Sequence, residues 1–459
     1  MDNKNVFIAI ALSMSVLLFW GAFFETPKQV STKNSSNQIE KDPTALLTPS
    51  INETKIEKKI SRNQSIGESE RIKIENNNII GSLNLEGGLI DDISFKNHKQ
   101  NLENNKNVEF LNPAQTENGF YVETGWTSLR NQIKVPSKNS IWSVKGNNII
   151  GINQPVTLQW DNGEGIMFRK QIELDDKYLF KISQQVQNKT NKQIELYPYA
   201  QITRNKIPDD IQNFYISHEG FIGVFDEELK EDDYDDIEEK KIIRESNKGW
   251  FGITDKYWMT ALVPKNGENF KSTFLYQDGF KANYILNKPT IISPSSSNTN
   301  EVKLFVAAKE VETIDAYAAE QNIEKLDLVI DWGWFYFFTK PLFFVIDYLF
   351  KFSGNFGIAI VLITIGIRLL FFPLANYSFR SMAKMKAVQP EMVRLKELHK
   401  EDKMKLQQEM MALYRKEKIN PASGCLPVLI QIPFFFAIYK MLFISLEMRH
   451  QPFFGWIKD

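Results

Sequence analysis

The chain has 459 residues, with 55 basic and 56 acidic side chains and a formal net charge of −1, a balance that singles out no charged partner. A single cysteine, Cys425, excludes an internal disulfide framework, and His98, His218, His399 and His450 have no metal-ligand spacing. Phosphate-loop, dinucleotide, metalloprotease and nucleophile-elbow motifs are absent, so the sequence reads as a non-enzyme without cofactor or metal.

The first element is Val6 to Phe24, an uncharged run long enough to span a bilayer. Its aromatic end (Phe19, Trp20, Phe23, Phe24) and single preceding Lys4 favour an uncleaved anchor over 1–24 rather than a signal peptide. Residues 25–60 are rich in Ser, Thr, Asn and Lys, with little to bury, and read as a disordered linker. From 61 to 325 the pattern is that of a β-sandwich domain. "RIKIENN" and "GSLNLEGG" alternate with period two, Asn and Gly clusters separate the runs, and "RKQIELDDKYLFKISQQVQN" reads as two strands turning at Asp175–Asp176. A helical tail is expected from Val311 to about Lys325. The acidic run Phe225 to Lys241 lacks a calcium-loop pattern and is expected to be a solvated insertion.

Beyond Trp332 the chain becomes apolar. Residues 332–352 are aromatic but carry Lys340, Pro341 and Asp347, which favours a helix at the membrane interface over a span. Residues 355–374 read as the second span. Residues 378–419 read as a polar helical hairpin with seams Met385, Val388, Met392, Leu395 and Leu406, Met410, Leu413, and with a kink expected at Pro390. Residues 425–446 read as a third span, made irregular by Pro427, Gln431, Pro433 and Lys440. Between Ser378 and Asn420 stand 11 basic and 6 acidic residues, an excess of 11 − 6 that places this hairpin in the cytoplasm. The N-terminus is then cytoplasmic and the β-domain lies across the membrane.

Arg368 stands inside the second span, where charge is costly. It can snorkel to the cytoplasmic surface, pair with a carboxylate of another helix, or face a wet cavity. The first and third spans contain no Asp or Glu. Thr364, four residues earlier, shares its face, and Gln431 is polar in the third span, which favours the cavity. Each also has a plain alternative: Thr364 can bond its own i−4 carbonyl, and Gln431 can bond a carbonyl freed by Pro433.

The motifs "GSLNLEGGLIDDISFKN", "DWGWFYFFTKPLFF", "GIRLLFFPL", "MAKMKAVQPEM" and "QQEMMALYRKEKINPASGCLPVLIQIPFFFAIYKML" resemble, in this order, the YidC family of bacterial membrane protein insertases and their organellar relatives. The resemblance covers essentially the whole chain. It implies a multi-domain membrane protein: a helical transmembrane region with a cytoplasmic hairpin plus a periplasmic β-supersandwich. It implies a hydrophilic groove holding one arginine, at the position of Arg368, with Thr364 and Gln431 as groove-lining residues. The expected substrates are nascent membrane proteins at the bacterial inner membrane. The expected partners are the Sec translocon, membrane lipids and a ribosome or targeting factor at the hairpin, with no direct recognition of nucleic acid. The family pattern continues past 447–459, the start of a periplasmic loop, so the chain resembles a member cut short at its C-terminus. A membrane-anchored periplasmic carbohydrate-binding protein is the alternative; it requires a cleft with clustered aromatics and carboxylates. A small-solute transporter is disfavoured because no repeat of spans is visible.

Overall fold

Period-two alternation between residues 71 and 308 becomes nineteen strands among the described residues. The computed structural model describes residues 59–129, 132–211, 217–419 and 426–457. The expected anchor (1–24), all but the end of the linker (25–60) and Cys425 lie outside these residues.

The strands form two mostly antiparallel layers. The first contains β1 (Arg71–Glu75), β2 (Ile79–Asn84), β3 (Leu89–Lys99), β4 (Asn107–Leu111), β5 (Phe120–Thr127), β10 (Ile194–Arg204), β13 (Ile242–Ser246), β16 (Phe270–Tyr276) and β17 (Phe280–Leu286). Its order runs β1, β2, β3, β5, β10, β17, β16, β13, with β4 paired to β3. The second contains β7 (Gln154–Asp161), β8 (Ile166–Leu174), β9 (Leu179–Asn188), β11 (Gly220–Phe225), β12 (Glu228–Asp232), β14 (Gly249–Thr254), β15 (Trp258–Pro264) and β19 (Ser297–Ala308). Its order runs β7, β8, β9, β19, β15, β14, β11, β12. β6 (Ser143–Gly151) joins the layers, lying parallel to β1 and antiparallel to β7. β18 (Thr290–Ile292) pairs with the start of β10.

Buried residues of both layers, such as Ile74, Ile93, Phe120, Ile202, Phe168, Ile182, Phe251 and Leu304, belong to one apolar core. The alternation in β8 buries Ile166, Phe168, Ile172 and Leu174 and puts Lys170 in the same phase. Its ammonium donates to the Gly88 and Thr124 carbonyls and lies over the Trp142 ring. Burial pushes it down to about 8, against the pull of Glu123.

The acidic run is woven into this domain rather than inserted beside it. It forms β12 and a short helix, and Tyr234 and Ile237 enter the core while Asp232 pairs with Arg244. Most of its other carboxylates do face water. The helical tail is shorter than its pattern suggests: Val311–Glu320 is α-helical, and a 3-10 turn follows at Leu326–Val329 after Lys325 adopts a positive φ.

Counting the helices among the described residues, α1 is Arg62–Gly67, α2 is Tyr234–Glu239 and α3 is Val311–Glu320. The C-terminal region adds α4 (Tyr336–Ser353), α5 (Phe356–Ala387), α6 (Gln389–Leu398), α7 (Lys403–Lys416) and α8 (Leu426–Ile444). α5 does not stop near Leu374 as its composition suggests. It runs on through Pro373, which removes a single donor, into the polar region. Pro390 likewise opens α6 instead of kinking a longer helix, because the first turn needs no donor there. α6 and α7 lie against each other, with the Tyr414 hydroxyl donating to Met392 Sδ. The Asp402 side chain caps α7 at the Lys405 amide.

Candidate functional site: the face shared by two apolar helices

Two helices, Phe356–Ala387 and Pro427–Ile444, are long and apolar enough to cross a membrane. Their outward side chains include Val361, Ile365, Leu369, Phe372, Leu429 and Ile432, all exposed. An apolar surface this continuous is one that hydrocarbon, not water, would cover.

α4, α5 and α8 meet through aromatic side chains. Phe338 of α4 and Phe371 of α5 both pack on Phe434 of α8, with ring centroids 4.8 and 5.0 Å away. Phe350 stacks on Phe356 at the turn between α4 and α5. Lys340 and Asp347, the charges that disfavour a span, are both neutralised locally. Lys340 Nζ lies 2.9 Å from Asp315 and 2.8 Å from Asp327, and Asp347 pairs with Lys351.

Arg368 lies on the side of α5 that meets α8. Its guanidinium carbon sits 5.8 Å from the Phe435 ring centre, and the side chain is otherwise exposed. Contact of this kind attracts a cation to the ring face. Thr364 precedes Arg368 by one turn and Gln431 precedes Phe435 by one turn, so each helix offers an i, i+4 pair. Thr364 stands one turn before the Arg368–Phe435 contact along α5, and Gln431 one turn before it along α8, about 5 Å from it along each helix axis. The Thr364 hydroxyl donates to the Ile360 carbonyl at 2.7 Å, the plain alternative for that residue. Gln431 is half-buried.

Phe435 is a member of this face that polarity alone does not reveal. Its signal was its spacing of four from Gln431. Lys440 lies away from this face: the sequence offers it as an irregularity, yet its residue is only 4% exposed and its ammonium lies 2.8 Å from Asp331. Among the described residues no group of three or more His, Cys, Asp or Glu is placed to hold a metal ion.

The β-domain has a cleft of about 280 Å³ whose lining includes Phe110, Phe120, Arg204, Asp255 and Trp258. It has the composition that the carbohydrate-binding alternative requires, but its aromatic faces are taken. Arg204 pairs with Asp255 and lies 4.5 Å over Phe120, while Trp258 stacks on Phe95 and meets Arg449.

Residues 71–345 match the YidC periplasmic domain, and residues 348–459 match the 60Kd inner membrane protein family. The membrane protein insertase YidC of Pelagibacter ubique strain HTCC1062 is 49% identical over 461 aligned residues, covering 100% of this chain and 82% of the relative. That of Brucella melitensis biotype 1 is 38% identical, covering 100% and 80%. That of Bradyrhizobium diazoefficiens is 39% identical, with the same coverage. Among solved structures, a galactose mutarotase related enzyme from Lactobacillus acidophilus superposes with a TM-score of 0.37 and 14% identity, over 52% of this chain and 98% of that one. A likeness that low carries no argument about what the β-domain does.

Proposed function

The chain belongs to the YidC family of membrane protein insertases, and on that premise we propose that the face shared by α5 and α8 is where an arriving segment is received. The observation that carries this reading is Arg368, an exposed cation in the apolar part of α5, residues 356–374, with its guanidinium beside an aromatic ring.

In this reading Arg368 keeps a wet, positive patch in the inner leaflet, with Thr364 and Gln431 as its polar neighbours. It transiently holds the acidic or polar flank of a nascent membrane protein. The apolar part of that segment then leaves for lipid, gaining about 25 cal/mol for each Å² buried. The sequence has no nucleotide motif, so partitioning supplies the drive, aided by the membrane potential at about 2.3 kcal/mol per charge per 100 mV.

The basic excess between Ser378 and Asn420 supports a cytoplasmic hairpin, a cytoplasmic N-terminus and a periplasmic β-domain in the inner membrane. Met404 and Met411 stand exposed on α7 beside Arg415, a surface suited to first contact with apolar segments or a targeting factor. The Sec translocon is the proposed partner in the membrane.

The test is Arg368→Ala in the intact protein, scored by insertion of a substrate with an acidic translocated tail. Insertion falls, and Arg368→Lys recovers part of it. Unchanged insertion by Arg368→Ala would refute the electrostatic role.

A further inference from the structure

Three polar ties join the β-domain to the last two turns of α8 and the residues just after it. Lys440 Nζ donates to Asp331 Oδ2 at 2.8 Å. The Glu447 carboxylate accepts from the Val311 amide at 2.7 Å. Arg449 donates to the Lys99 and Gln100 carbonyls at 2.6 and 2.8 Å.

The first tie is built as a site. Lys440 stands about 6 Å inside the end of α8, where an apolar residue would serve the helix equally well. Its ammonium is nearly sequestered, with a side chain 5% exposed. Asp331 is held from two directions, by the His218 amide at 2.9 Å and the Gly333 amide at 3.0 Å. Gly333 has φ +72°, and a Cβ there would meet Lys440 Cε at 3.1 Å, so the chain crosses close over the lysine stem. Lys309 fixes the same loop from the β-domain side, donating to the Val329 carbonyl and the Thr254 hydroxyl.

We propose that Lys440 and Asp331 form a pin that sets the depth and rotation of α8 against α5, and with them the shape of the face that Arg368 and Phe435 share. Lys440 is therefore a positioning residue for insertion, acting through α8. This rests on the reading of that face given above. The physical reason is register. A slip of one residue turns a helix by about 100° and moves it about 1.5 Å, which an apolar surface tolerates. A buried ammonium tolerates neither, because displacement separates it from the Asp331 carboxylate and splits a sequestered ion pair. The β-domain is thus a jig for the membrane helices as well as a folded unit.

The test uses the intact protein in cells whose own copy can be shut off, with Cys425→Ser as background. Phe371→Cys with Phe434→Cys, bridged by a short bifunctional thiol reagent, reports the register of α5 and α8. Insertion of the acidic-tailed substrate and protein amount are followed alongside. Lys440→Met and Asp331→Asn are expected to lower insertion several-fold and to change the cross-linking yield at normal protein amount. Lys440→Arg retains both readouts. Should Lys440→Met fail to accumulate, Asp331→Asn, which keeps a side-chain oxygen for the His218 and Gly333 amides, is read in its place. Cross-linking that stays unchanged in Lys440→Met overturns the pin, whether or not insertion falls, because a fall then reflects stability alone. Arg368→Ala is run in parallel. If it is neutral while Lys440→Met moves both readouts, the pin stands and the role of Arg368 fails; the reverse result removes the pin and leaves Arg368.

Discussion

The Lys340 ammonium lies 2.8 Å from the Asp327 carboxylate, a link from α4 to the turn that closes the β-domain. Asp315 of α3 is the second acceptor, at 2.9 Å. Both carboxylates hold the lysine well above its ordinary range, against the cost of its partial burial. Lys340→Met should therefore loosen α4 from the domain. The expected loss is about 1–2 kcal/mol, below the 3–5 of a fully buried pair because these groups keep some contact with water. Thermal unfolding in detergent checks this, and an unchanged midpoint would show that the pair contributes nothing.

Glu447 gives the same region a dependence on pH. Burial pushes its carboxyl up to about 7, partly offset by the Val311 amide, with Glu310 and Asp347 adding to the rise. A carboxyl raised in the folded state favours folding below its unfolded value of about 4.5 and loses that contribution as pH climbs through 7. Stability should fall on the order of 3 kcal/mol between pH 4.5 and 7. Glu447→Gln should flatten that slope in unfolding measured across the range, and an unaltered slope would assign it to other groups.

Gly252 in β14 lies so close to its neighbour that a Cβ would stand 1.9 Å from the Thr260 carbonyl oxygen. Gly252→Ala should destabilise the β-domain by at least about 2–3 kcal/mol through overpacking. Gly67, with nothing within 4 Å of a new Cβ, is the control, and Gly67→Ala should stay within about 0.5 kcal/mol of the parent. Equal unfolding midpoints for the two variants would contradict the close approach.

Phe435 backs the guanidinium of Arg368 at 5.8 Å. Phe435→Leu keeps the apolar wall and removes the ring, a loss of about 0.5–2 kcal/mol of attraction for the cation. Insertion of an acidic-tailed substrate should drop less than with Arg368→Ala. Phe435→Leu should add little once Arg368 is gone, and full additivity in the double variant would separate the two residues.

Much of this protein could be read along the chain because its elements are long and strongly patterned. Strand alternation marked the β8–β9 hairpin, and long, mostly apolar runs marked α5 and α8. Arg368, Thr364 and Gln431 stood out because polar side chains are rare in such runs. Helix ends were less legible. Proline at 373 and 390 signals a break locally, but whether a helix ends depends on what packs around it.

By itself, the sequence determined the β-sandwich class, the two apolar helices and the identity of the charged residues among them, since these follow from local periodicity and the cost of burying charge. Only the tertiary structure decided which partner each charge has. Lys340 meets Asp315 and Asp327, Lys440 meets Asp331, and Arg368 meets Phe435. Lys440 and Asp331 are 109 residues apart, and no local pattern encodes a contact at that separation. It exists because the fold brings the end of α8 back to the loop after the β-domain, where the sequestered ammonium meets the Asp331 carboxylate.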